Sequence, residues 1–101
     1  KGALTENYVL QTLIAIGLNP YYYTFDNRYE IDFIIQYKNE IIPIEVKSGE
    51  SINNTSLKVY NEINKPKTRV RFSMKNLNKD DNLINIPLFM VEYIKKLIDF
   101  N

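Results

Sequence analysis

Two adjoining segments constrain this chain more than anything else in it. Residues 30–37 and 40–48 are both rich in β-branched side chains, and only the polar pair Lys38-Asn39 lies between them. That spacing predicts an antiparallel hairpin with a two-residue loop. Tyr37 then pairs with Glu40, Phe33 faces Ile44, and Asp32 faces Glu45. Because side chains alternate along a strand, Ile31, Phe33 and Ile35 share one face with Ile42, Ile44 and Val46, a continuous apolar surface for a core. The other face collects Asp32, Ile34, Gln36, Ile41, Pro43, Glu45 and Lys47, and is polar mainly at one end. Pro43 falls at a non-hydrogen-bonded pair, where its missing N–H leaves the hairpin intact.

The flanking segments supply partners for that hairpin. Over residues 3–16, Val9, Leu10, Leu13, Ile14 and Ile16 recur at the spacing of an amphipathic helix, and Gly17 is a suitable stop. Residues 21–25, Tyr-Tyr-Tyr-Thr-Phe, form a strand closed by the turn pair Asp26-Asn27. Residues 49–55 read as a polar loop, and Leu57, Tyr60 and Ile63 place a short helix over 56–64. After Pro66, residues 69–74 alternate polar and apolar as a half-buried strand does. A polar stretch, 75–82, leads to the short apolar piece 83–86, and Pro87 opens a final helix carrying Leu88, Val91, Ile94 and Ile98. The order is helix, three strands, helix, strand, an α/β pattern. With 101 residues, 45% of them hydrophobic, there is material for one core and one domain over residues 1–101. The chain enters its first helix directly from Lys1-Gly2-Ala3-Leu4 without a start methionine, which suggests a fragment of a longer chain.

Composition narrows the chemistry. There is no cysteine and no histidine, which removes disulfides, thiolate nucleophiles, Ser-His-Asp triads and histidine-ligated metals. Carboxylates, lysine, tyrosine and hard cations remain. Lys plus Arg (13) nearly balance Asp plus Glu (12), so any basic surface is local. No apolar run approaches the roughly 18 residues of a membrane span, and the N-terminus lacks a signal-peptide profile. The expectation is a cytoplasmic protein with no membrane partner.

Two carboxylates opposite one another on antiparallel strands stand about 4.5 to 5.5 Å apart at Cβ and repel. A divalent cation held by Asp32 and Glu45 offsets that repulsion, and Mg²⁺ characteristically takes one or two carboxylates together with waters and phosphate oxygens. Lys47, two residues beyond Glu45, projects from the same strand face and brings an ammonium beside developing negative charge on a phosphate. Glu6 lies three and four residues before Val9 and Leu10, so it projects with the apolar side of the opening helix. There it serves as a third ligand, as an orienting group, or turns to helix-flank solvent or a neighbouring backbone N–H. Each residue alone has an ordinary structural reading; it is the shared register that unites them. Arg69, Arg71 and Lys58 are candidate phosphate contacts, with a solvated strand face and helix surface as the plainer reading. The tyrosines around Tyr22 offer stacking surfaces for bases, with sheet packing as the plainer alternative.

The succession of Glu6 in a helix, Glu30-Ile31-Asp32-Phe33 in one strand and Ile44-Glu45-Val46-Lys47-Ser48-Gly49 in the next resembles the PD-(D/E)XK nuclease superfamily. Within it the text looks most like DUF4143, a domain found at the C-terminus of bacterial and archaeal AAA-type ATPases. The matching stretches are Gly2-Ala3-Leu4-Thr5-Glu6-Asn7, Ile42-Pro43 before the second acidic motif, Ser56-Leu57-Lys58-Val59-Tyr60 and Ile84-Asn85-Ile86-Pro87-Leu88. Ile31 stands where the superfamily carries a proline before its first acid. The resemblance implies a restriction-endonuclease-like αβββαβ core, a central mixed sheet flanked by helices, with Mg²⁺ or Mn²⁺ at one end. It implies Asp32 and Glu45 as metal ligands, Lys47 as the catalytic lysine and Glu6 as the helix carboxylate. The expected activity is metal-dependent hydrolysis of nucleic acid, DNA above all, by a domain joined to an N-terminal ATPase domain of the same chain. The alternative is a non-catalytic binding, coupling or dimerisation module of the ATPase, partnered by a second copy.

Overall fold

A computed structural model describes residues 2–49 and 55–100. The expected loop over 49–55 therefore lies, between 50 and 54, outside the described residues. In chain order the elements are α1 (Gly2–Ala15), β1 (Tyr21–Phe25), β2 (Tyr29–Tyr37), β3 (Glu40–Val46), α2 (Thr55–Asn64), β4 (Arg69–Ser73), β5 (Asn78–Asp80), β6 (Leu83–Pro87), a 3₁₀ helix (Leu88–Tyr93) and α3 (Ile94–Asp99). The strands form one six-stranded sheet in the order β1-β2-β3-β4-β6-β5. Its middle ladders, β3–β4 and β4–β6, are parallel and the outer ones antiparallel, so this is a mixed α/β sheet flanked by helices. No helix among the described residues is long and apolar enough to cross a membrane.

Local chemistry sets the element boundaries. Gly17, at φ +92°, ends α1: its N–H bonds the Ile14 carbonyl at 2.9 Å, and that of Leu18 reaches back to Leu13 at 3.0 Å. This pair of bonds satisfies carbonyls that a helix end otherwise orphans, and buries Leu18 against the core. The β2–β3 hairpin turns through Lys38 and Asn39, both at positive φ, with Tyr37 opposite Glu40 and Phe33 opposite Ile44 as the spacing predicts. Pro43 sits opposite Ile34, and the parallel ladder to β4 begins one residue later at Ile44↔Val70, so the missing N–H disturbs neither edge of β3.

One face of the sheet is wholly apolar. Ile35, Ile42, Ile44, Val70, Phe72, Ile84 and Ile86 meet Val9 and Leu13 of α1, Val91 of the 3₁₀ turn and Ile94 and Ile98 of α3. The opposite face is covered in part by the shorter α2, whose Leu57 and Tyr60 pack on Ile31, Ile34, Phe25 and Leu83. Beyond that patch a polar lattice takes over. Arg69 donates to Asn82 Oδ1 at 2.9 and 2.8 Å, Asn82 donates to Asn61 Oδ1 at 2.8 Å and to the Pro66 carbonyl at 2.9 Å, and Ser73 donates to Asn85 at 2.7 Å.

Three expectations need correction. Ile31 packs under α2 with Ile34, not with Phe33 and Ile35. The cause is an irregularity in β2: Tyr21 pairs with Ile34 and Tyr23 with Ile31, so three steps along β2 match two along β1. An extra residue in one strand shifts every side chain before it to the other face. The polar stretch 75–82 contains a strand, β5, exposed throughout and paired with β6 at the sheet edge. The closing segment is a 3₁₀ turn with non-helical Met90, followed by six residues of α-helix, rather than one helix from Pro87.

Candidate functional site

The β2–β3 ladder, regular from the turn onward, stops at Phe33↔Ile44, one pair short of Asp32 and Glu45. β3 meanwhile stays on β4: Glu45 pairs with Arg71, and the Lys47 N–H bonds the Phe72 carbonyl at 2.8 Å. The two hairpin strands therefore part where β2 carries its extra residue. Asp32 fills the opening with its side chain, its Oδ2 accepting the Val46 N–H at 2.8 Å in place of a backbone carbonyl. Bulges of this kind commonly re-aim a side chain beside a functional site.

The parted strands, the start of α1 and the start of α2 enclose an open cleft of about 430 Å³. Glu6, Asp32, Glu45 and Lys47 all line it, so the four side chains singled out from sequence converge on one place. Arg28, Glu30, Val46, Thr55 and Ser56 complete the lining. Ser56 Oγ accepts the Glu30 N–H at 3.3 Å, pinning the first turn of α2 to β2 at the cleft wall.

Burial and charge set the state of each acid. Glu45 is buried, and desolvation raises its pKa; Lys47 and Arg71 act to lower it, while Asp32 adds to the rise. Arg71 Nε stands 3.3 Å from Glu45 Oε2. Desolvation also raises Asp32, against the Val46 N–H and Lys47, with the Glu30 charge pushing the same way as burial. Glu6 is exposed at its own position, yet partial desolvation and then the charges of Asp32 and Glu30 raise it too. In each case the costs of holding charge here outweigh the compensations the chain itself supplies.

A hard divalent cation suits this donor set. The chain offers carboxylate oxygens and neither imidazole nor thiolate; the Val46 N–H engages Asp32 Oδ2, and Arg71 engages Glu45 Oε2. Among the described residues no three acids stand close enough to form a metal cage by themselves. Mg²⁺ commonly takes one or two protein carboxylates, its other positions being filled by water and substrate oxygens. Glu6 then belongs to the cleft wall beside the pair.

The remaining sequence candidates fall elsewhere. Arg69 is buried and bonded to Asn82 and the Leu57 carbonyl, so it ties α2 to the sheet instead of standing on a solvated face. Arg71 faces Glu45, and Lys58 is exposed outside the cleft lining. Glu30 and Arg28 were missed. Their signal was the Asp26-Asn27 turn, which makes β1 and β2 a second hairpin and puts Thr24 opposite Glu30 at the acidic end.

A family model for a domain of unknown function, DUF4143, matches residues 1–90. The chain belongs to the DUF4143 family. The match takes in every side chain of the cleft, from Glu6 on α1 to Ser56 on α2, and runs on into the 3₁₀ turn. A search of curated proteins gave no match. The DUF4143 description names no activity, so the function rests on the chemistry of the cleft.

Proposed function

We propose that the cleft hydrolyses phosphodiester bonds in nucleic acid with the help of Mg²⁺ or Mn²⁺, in the manner of the PD-(D/E)XK nucleases, and that the domain works as the C-terminal part of an AAA-type ATPase. The observation that carries the reading is the pairing of two desolvated carboxylates, Asp32 and Glu45, with Lys47 where the strands β2 and β3 part. The helix–three strands–helix–strand order and the matching positions of Glu6, Asp32, Glu45 and Lys47 support it.

Asp32 and Glu45 would hold the cation, which when bound supplies Lewis-acid polarisation of a phosphoryl oxygen and acidifies water. The Val46 N–H and the Arg71 guanidinium each hydrogen-bond one of the two carboxylates and so help set its direction. Lys47 sets an ammonium against the charge that grows on the phosphate oxygens as the water oxygen–phosphorus bond forms and the ester oxygen departs. Glu6, raised by partial desolvation and then by the charges of Asp32 and Glu30, is suited to receive the proton that water gives up.

The test is cleavage of labelled single-stranded, double-stranded and branched DNA and RNA by the chain and its Lys47→Ala variant, with Mg²⁺ or Mn²⁺. Cleavage by wild type, and a loss of at least about a hundredfold in the variant, supports the assignment. A second reading, a coupling or dimerising module of the ATPase, draws on the near-balance of 13 basic and 12 acidic residues, which gives no broad footprint for duplex DNA. Absence of cleavage together with no calorimetric binding of Mg²⁺ or Mn²⁺ to wild type would favour that module.

A further inference from the structure

Two cations line the cleft, and they come from different elements. Lys47 follows β3, beside the paired carboxylates, whereas Arg28 enters from the turn between β1 and β2. The Arg28 guanidinium lies 4.7 Å over the Tyr29 ring. Tyr29 stacks on Phe25 at 5.1 Å, and Phe25 meets Tyr60 of α2 edge-on at 6.1 Å, so the ring beneath the guanidinium is braced from both the sheet and the helix. Among the described residues Arg28 forms no ion pair. An aromatic ring attracts a guanidinium through its face, and the five N–H donors lie in the plane of the group, turned away from that contact. Held in this way, Arg28 can offer two parallel donors to one phosphate.

The concave surface continues past Arg28. A hollow of about 140 Å³, lined by Thr24, Asn27, Arg28, Tyr29 and Glu30, shares Arg28 and Glu30 with the cleft. Tyr29 precedes Asp32 by three steps along β2, about 10 Å of strand, so an anion bound over Tyr29 is not the one held by a cation at Asp32 and Glu45. The lining sets four carboxylates, Glu6, Glu30, Asp32 and Glu45, against Arg28 and Lys47. A divalent cation only brings that count level, and the near-balance of 13 basic and 12 acidic residues adds no broad attraction. Holding a polyanion here falls to single, well-placed cations. Resting on the phosphodiesterase reading above, we propose that Arg28 is a substrate-binding residue that takes a second phosphate of the nucleic acid, on the side of the β1–β2 turn. The substrate backbone thus runs from the paired acids along the start of β2, and a diester without a neighbouring phosphate on that side is the poorer substrate.

The experiment compares wild type, Arg28→Ala and Arg28→Lys by fluorescence anisotropy of fluorescein-labelled single- and double-stranded DNA in Ca²⁺ over a series of salt concentrations. Steady-state cleavage of the same DNA in Mg²⁺ and calorimetric Mg²⁺ binding are followed in parallel. On whichever DNA wild type binds tighter, Arg28→Ala should weaken binding at least about fivefold and lower the salt slope by about one, whereas Arg28→Lys should keep the slope. In cleavage the loss should fall mainly on KM, and Mg²⁺ affinity should stay within about twofold of wild type. Arg28 is exposed, so both variants should fold as wild type does. An unchanged affinity and salt slope in Arg28→Ala, or a loss that falls on kcat or on Mg²⁺ binding with the slope unchanged, overturns the phosphate contact while the cleavage by wild type stands. Failure of wild type to bind or cleave either DNA overturns the phosphodiesterase reading and this inference with it.

Discussion

The two ends of the β2–β3 hairpin are made of the same strands and behave in opposite ways. At the turn the pairing is regular, and the charges near it lie at the surface: Lys38 meets Asp99 at 3.2 Å with both side chains largely open to water. At the far end the ladder fails, the strands part, and the charges sink into the gap, where Glu45 and Arg71 are 11% and 13% exposed. Charge at the surface is cheap to keep and says little about purpose. Charge held where burial disfavours it, in a gap that costs backbone pairing, marks that end of the hairpin as the candidate site.

The largest way to break this contrast is to damage the regular part. Ile35→Ala, at a fully buried position in the paired region, should destabilise the fold by about 2 to 5 kcal/mol in urea denaturation. Asp32→Asn should do the reverse of what a buried structural acid would: an amide oxygen can still accept the Val46 N–H, and one buried charge is gone. The expected result is an unchanged or higher melting temperature together with at least about tenfold weaker Mg²⁺ binding by calorimetry. A drop of several degrees would show that the carboxylate is there for the fold.

The pH dependence sharpens the same point. Asp32 and Glu45 hold their protons to higher pH in the folded chain than at the ordinary values of 3.8 and 4.5. The folded state therefore binds more protons across that window. Their protonation stabilises the fold fully below the ordinary values, and the contribution is lost as pH rises through the raised ones. Urea midpoints of wild type, compared with those of an Asp32→Asn, Glu45→Gln double variant, should accordingly improve on acidification, and Mg²⁺ affinity should fall over the same interval. Smallest of all, Lys38→Ala should leave the melting temperature unchanged, since the ion pair it removes is exposed and screened.

Much of the paired end was legible in the sequence because a hairpin is local: Lys38-Asn39 and the β-branched runs on either side fix its register. Glu45 and Lys47 could be placed together for the same reason. What escaped depends on a third strand. The extra residue of β2 is visible only against β1, so neither the displacement of Ile31 nor the end of the ladder at Phe33↔Ile44 follows from the alternation of residues 30–48. Arg71 read as a surface residue because its partner, Glu45, lies across a parallel crossover. Tyr22 was visible as one of three tyrosines, but its exposure comes only with the folded edge. The polar strand β5 has no apolar period to betray it; its place is set by backbone pairing with β6.

The out-of-step residue in β2 also sets the size of the smallest transferable unit. A two-stranded excision of residues 29–46, moved to a new scaffold, would relax to unbroken alternation and carry Asp32 away from its post, since nothing would then count three residues against two. Transplanting the acidic notch requires β1 as a ruler alongside it, and an engineer who trims that outer strand as dispensable trimming would erase the notch without touching one of its side chains.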